Sequence, residues 1–167
     1  MKLKNLSLIL VTLFLMAVWP CRAFDTYLHI AGIPGESIVV GHTNDTAITS
    51  FSFGMAHEGS GKPDFSLAIQ KNVSPMSPVL AFNCVSGITN ASATISCYKS
   101  GGAPTDPAFY SITVTNVQIT SISVSGSTGD TAISESISLQ FTGVQWTYVP
   151  QNSGGGFGTP IVTSFGN

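Results

Sequence analysis

Charged side chains are scarce in this 167-residue chain: aspartate, glutamate, lysine and arginine together make up 8% of it. Coiled coils and long surface helices draw on a steady supply of Glu and Lys, so this scarcity excludes them. Cations are the rarer sign, with six lysines and arginines in all. No basic cluster of the kind that grips phosphates can be assembled from them, which excludes nucleic acid and anionic lipid surfaces as partners. Cysteine occurs three times, too few for a disulfide-dense scaffold. His29, His42 and His57 lie on three separate segments without the close spacing of a metal site. There is no Gly-x-Ser-x-Gly elbow, no glycine-rich phosphate loop opening a helix, and no pair of neighbouring carboxylates. Neither an enzyme nor a cofactor is expected. Asn44-Asp45-Thr46 and Asn90-Ala91-Ser92 match the glycosylation sequon, but so short a pattern arises by chance, and both asparagines are read as loop residues.

What the chain does have is Ser, Thr, Gly, Val and Ile, the palette of an all-β domain, in a length that suits one domain with a sizeable core. Residues 1–23 stand apart. Lys2 and Lys4 precede an apolar run from Leu6 to Trp19, and Cys21-Arg22-Ala23 puts small residues at the positions required for cleavage after Ala23. This is the layout of a secretory signal peptide, with a retained N-terminal anchor as the alternative. Pro20 before Cys21 argues against lipidation. Cleavage would leave no stable membrane span and a secreted or periplasmic product. Lys62, Lys71 and Lys99 would then face all eight carboxylates, a net charge of about −5 on a weakly acidic surface with three scattered lysines. Cys84 and Cys97 would remain as an even pair. A disulfide between them would contribute on the order of 3 kcal/mol; two buried thiols packing as small hydrophobes are the other reading.

Period-two alternation, the mark of a strand with one buried face, recurs along the rest. It is clearest from Ser134 to Pro150, where Ile137, Leu139 and Phe141 alternate with polar residues and Val144, Trp146 and Tyr148 resume one step out of register. Thr142-Gly143 between them predicts a β-bulge in one long bent strand. Strands are also predicted over Asp25–Ile30, Thr46–Gly54, Phe65–Asn72, Ala93–Tyr98, Phe109–Val124 and Ile161–Phe165. Ser77 as N-cap, Pro78 at the first helical position and Gly87 at the end predict one short helix, with Leu80 and Cys84 on its inner face. The expected fold is a small antiparallel β-barrel of about seven strands with one short α-helix packed on its side. One domain spans residues 24–151, and residues 152–167 form its glycine-rich linker and last short strand.

Taken in order, several blocks resemble the haemolysin-coregulated protein (Hcp) family, the tube subunits of type VI secretion. They are Asp25-Thr26-Tyr27-Leu28-His29-Ile30 with Gly35-Glu36-Ser37; Phe51-Ser52-Phe53-Gly54-Met55; Phe65 to Lys71; Ser77-Pro78 through Cys84 to Ser86-Gly87; Ala93 to Lys99 with Gly101; and Ile137 to Tyr148 followed by Pro150-Gln151. Each is weakly specific alone; the ordered set spans nearly all of Phe24 to Asn167. The resemblance implies a non-catalytic function: homo-hexameric rings that stack into a hollow tube, carry small effectors, or are themselves secreted. It also implies that Gly35, Glu36 and Ser37 contact neighbouring subunits or stacked rings and that Ser52 faces the lumen. Two features depart from the family, a leader peptide and a charge-poor surface. The alternative reading is a secreted β-barrel binding module for a glycan or cell-surface partner, with Trp146, Tyr148 and Phe157 as the aromatics that would serve it.

Overall fold

A computed structural model describes residues 24–57 and 64–166. The leader expected over residues 1–23 and most of the connection after Met55 lie outside the described residues. Among the described residues, nine strands and one helix follow in chain order: β1 Phe24–Ile30, β2 Thr46–Ala47, β3 Ser50–Ala56, β4 Asp64–Asn72, α1 Ser77–Ser86, β5 Thr89–Lys99, β6 Tyr110–Ser125, β7 Ser134–Gln140, β8 Gly143–Tyr148 and β9 Ile161–Phe165. Every strand pair is antiparallel, and the sheet runs β2-β1-β5-β6-β7-β4-β3, with β8 on β6 and β9 on β8.

The stretch from Ser134 to Pro150 is two strands rather than one bent strand, and both lie along β6. β7 pairs with the outer half, Gln118–Ser125, and β8 with the inner half, Tyr110–Thr115. The break falls where β6 itself irregularises: Asn116 takes a left-handed backbone conformation, φ 54°. The Thr142 N–H donates to the Thr115 carbonyl and the Asn116 amide to the Thr142 hydroxyl, fastening the two bends together. Strand count rises above the expected seven for this reason, and because β2 separates from β3.

Ladder hydrogen bonds do not close the sheet. Its two ends, β2 and β3, are consecutive in the chain, and the covalent backbone spans the gap between them. The Ile48 N–H donates to the Thr26 carbonyl on β1, and the next residue, Thr49, donates to the Gln70 carbonyl on β4. Inside, the predicted alternation is met: Leu28, Ile30, Leu67, Ile69, Ile95, Ile112, Val114, Ile137, Leu139 and Val144 form one continuous apolar core.

The helix seats Leu80 fully in that core, with Cys84 packed at its edge. Gly87 ends it in the left-handed conformation, φ 64°, which glycine adopts without a Cβ penalty. Ser77 is not its N-cap. Met76 occupies that position and makes no side-chain cap bond; its sulfur accepts from the Thr46 hydroxyl. The Ser77 hydroxyl is engaged with other side chains: it donates to Glu135 Oε2 at 2.7 Å and accepts from Lys71 Nζ at 2.9 Å. Lys71 and Glu135 face each other across the β4–β7 ladder, 2.6 Å apart and 0% and 1% exposed at the side chain. The Ser74 hydroxyl and the Asn72 carbonyl are also within hydrogen-bond distance of the ammonium, whose three protons are shared among these acceptors. Lys71 is therefore a core residue, not one of three scattered surface lysines.

Removing one partner of a buried ion pair leaves the other charge uncompensated, which costs about 3–5 kcal/mol, whereas replacing both with apolar residues is often neutral. Urea unfolding of Glu135→Leu is expected to show a loss of that size, and Lys71→Met/Glu135→Leu is expected to recover most of it.

Candidate functional site

The feature that stands out from the barrel is the loop between β1 and β2. It doubles back on itself. Gly35 N–H donates to the Asn44 carbonyl, Ser37 N–H to the Asp45 carbonyl, and Asn44 N–H returns a bond to the Ser37 carbonyl. Glycine at position 35 is required by this close approach, since a Cβ there would overlap the Asp45 carbonyl and the Thr46 hydroxyl. The short ladder presents Ile38, Val39 and Val40 at its tip, with Ile38 91% and Val40 71% exposed. Glu36 is exposed beside them.

His42 holds the base of this loop to the barrel. Its ring stacks on Tyr27 of β1 at 4.1 Å and meets the edge of Tyr98 of β5 at 4.2 Å. Burial pushes both phenols above their ordinary range, with the Asp25 and Asp45 carboxylates adding to the effect at Tyr27. Asp45 receives a 2.9 Å hydrogen bond from His29 Nδ1. Sequence reasoning treated all three histidines alike; the signal that separates His42 is its place between apolar Val39-Val40 and the aromatic faces of two strands, visible only once β1 and β5 are paired. Among the described residues no group of three His, Cys, Asp or Glu side chains could hold a metal ion, and no helix is long and apolar enough to cross a membrane.

The other predicted site residues are placed as follows. Ser52 is exposed on β3, while Phe51 and Phe53 on either side turn inward. Phe53 packs against Phe141 and Trp146, with ring centroids 5.9 and 5.8 Å apart. Trp146 is thus drawn into an aromatic cluster at the barrel end. Phe157 instead lines a cavity of about 330 Å³ with Tyr27, Tyr98 and Phe109. Asn90 is a buried strand residue bonded to Asn83, not a loop residue; Asn44 is in the loop, at φ 69°.

Cys84 and Cys97 are free thiols. Asn83, beside Cys84, bonds Asn90 at the start of β5. Cys97 lies seven residues further along that strand, on the order of 20 Å at ~3.3 Å per residue, whereas bridged Cα atoms sit within about 7 Å. Cys97 is buried, accepts a weak bond from the Thr26 hydroxyl, and its thiol is pushed up by desolvation.

The sequence profile of the family described as "Type VI secretion system effector, Hcp" matches residues 27–148. The chain belongs to the Hcp family. The match begins in β1 and ends with β8, so that β9 lies beyond it. The Hcp relative "Protein hcp1" of Pseudomonas aeruginosa is 29% identical over 143 residues, covering 80% of this chain and 88% of that protein. Among solved structures, Hcp1 from Salmonella typhimurium superposes with a TM-score of 0.74 at 25% identity, covering 87% of this chain and 95% of that one. A protein described as a type six secretion system protein gives a TM-score of 0.75 at 28% identity, over 83% and 92% of the two chains. The antiparallel sheet with one flanking helix is thus the Hcp fold.

Thiol labelling reads the cysteine geometry directly. Iodoacetamide applied to the native protein is expected to modify Cys84 and spare Cys97, with both modified after denaturation; peptide mapping that found neither thiol reactive without reductant would instead indicate a bridge.

Proposed function

We propose that this Hcp-family chain is a non-enzymatic structural subunit of type VI secretion that closes into homo-hexameric rings, which stack into a hollow tube carrying small effectors. The observation that carries the reading is the apolar loop tip. Ile38, Val39 and Val40 are held out by a tightly hydrogen-bonded ladder, a conformation that exposes apolar area to water unless another surface covers it. Val85 on α1 and Ile161 on β9 are likewise exposed. In this reading Gly35, Glu36 and Ser37 bring the loop against a neighbouring subunit or the next ring. Ser52, directed away from the core, lines the lumen. The charge-poor surface means these contacts are mainly apolar, and the leader over residues 1–23 delivers the chain to the periplasm or beyond.

Light scattering on the purified protein is expected to give a hexamer whose mass holds between about 0.1 and 1 M salt, because apolar contacts are not weakened as the Debye length falls from ~10 to ~3 Å. A strict monomer at high concentration would sink the ring. Ile38→Asp/Val40→Asp is expected to disrupt assembly or stacking while changing barrel stability by no more than about 0.5 kcal/mol, as exposed positions usually do. Amino-terminal sequencing of the exported protein is expected to begin at Phe24.

A further inference from the structure

Charge, scarce elsewhere, gathers at one place. Lys99 is the one exposed lysine among the described residues, and with Asp25 and Asp106 it lines the cavity of about 330 Å³ to which Phe157 belongs. Three loops meet there. The loop before β2 touches the one after β5 where Gly41 passes the Pro104 carbonyl, so closely that a Cβ on Gly41 would lie 2.7 Å from its oxygen. The third, after β8, is a bonded hairpin rather than a free linker. Asn152 N–H donates to the Gly156 carbonyl, the Asn152 amide to the Phe157 carbonyl, and Gly158 N–H to the Pro150 carbonyl, which fixes Phe157 in the cavity lining. We propose that this cavity binds a pyranose sugar, with the sugar's C–H face against the rings and its hydroxyls on the fixed polar groups.

The ligand class follows from the lining. Tyr27 and His42 stack at 4.1 Å, Tyr98 meets the two rings edge-on at 6.0 and 4.2 Å, and Phe109 and Phe157 add two more rings. Small-molecule sites combine such apolar walls with a few placed polar groups. Here those groups come in bonded pairs: the Ser100 hydroxyl donates to Asp25 Oδ2, the Ala103 N–H to Asp106 Oδ2, and the Lys99 ammonium to the Gln151 side-chain oxygen. Each is oriented by its partner and keeps capacity to spare, a second oxygen on each carboxylate and further protons on the ammonium and the Gln151 amide. Burial, the largest influence on both, keeps the Tyr27 and Tyr98 phenols protonated, so their hydroxyls remain donors. An anion would meet two carboxylates, and a simple cation would meet Lys99 and leave the donors unmatched. Sugar hydroxyls, which donate and accept alike, match both kinds of group without bringing a charge of their own.

All of these groups belong to one chain, so the inference stands or falls apart from the ring reading, which light scattering on the same sample tests. Saturation-transfer NMR and calorimetry would titrate the purified protein with glucose, galactose, mannose and N-acetylglucosamine, each as free sugar and as methyl glycoside, with choline and acetate as charged comparators. At least one pyranose is expected to bind saturably with a Kd on the order of 1 mM. Phe157→Ala is expected to weaken it up to about tenfold, the scale of one aromatic contact, and Asp25→Asn by about tenfold or more, the scale of a hydrogen bond to a charged group. Ser123→Ala, at the far end of β6, is expected to leave it unchanged. Equal affinity for a methyl glycoside would support the site with a glycan end as occupant, and preference for the free sugar would support it with a soluble one. No saturable sugar, choline or acetate bound in its place, or an affinity unchanged in Asp25→Asn would overturn it. Should Phe157→Ala unsettle the hairpin, the nearly isosteric Asp25→Asn decides alone.

Discussion

The sixteen-residue strand β6 sets the geometry of everything else. One of its edges carries β5; the other carries β8 along its first half and β7 along its second. A twisted strand of this length cannot serve both β7 and β8 in one straight ladder while keeping its apolar face inward, so the chain changes partner where Asn116 kinks. The Thr115–Asn116 and Thr142 bonds tie that kink to the partner's break. Val114 and Val117 on either side both stay buried, which a simple period of two would not allow.

The Lys71–Glu135 pair does a different task. Apolar contacts alone would let α1 slide on the sheet, because Leu80 is equally content against several aliphatic neighbours. A buried ammonium and carboxylate accept few arrangements, and they recruit Ser74 and Ser77 at the start of the helix. Net stability from such a pair is small once desolvation is counted; its effect is to fix where the helix begins. The Ser77 hydroxyl that would have capped the helix is given to this network.

The loop between β1 and β2 shows the same economy in reverse. Its backbone satisfies itself, its base is packed by His42 between two tyrosines, and its apolar tip is left to solvent. Charge is scarce across the whole chain, at 8% of its residues. The same scarcity makes the few charged groups conspicuous: Lys71 and Glu135 are inside, and Asp45 is shared by two histidines.

Strand positions and the inward face were legible in the chain because alternation reports burial locally: Ile137, Leu139 and Phe141 announce their side of the sheet with no knowledge of a partner. Pro78 and Gly87 announced the helix for the same reason, since φ restrictions belong to single residues. Gly35, Glu36, Ser37 and Ser52 were reached only through the ordered resemblance; in the structure Glu36 and Ser52 are exposed, and Gly35 and Ser37 are half-buried. What no local pattern could report was pairing across distance. Glu135 meets Lys71 from 64 positions away in the chain, His42 meets Tyr98, and Cys97 sits far from Cys84, because burial and electrostatic partnership depend on which strands adjoin. The sequence by itself determined the all-β class, the alternating core and the end of the helix at Gly87, which are set residue by residue through side-chain period and backbone freedom. Only the tertiary structure decided the split of β7 from β8, the buried ion pair and the anchoring of the loop, since each is a contact between segments that the fold alone brings together.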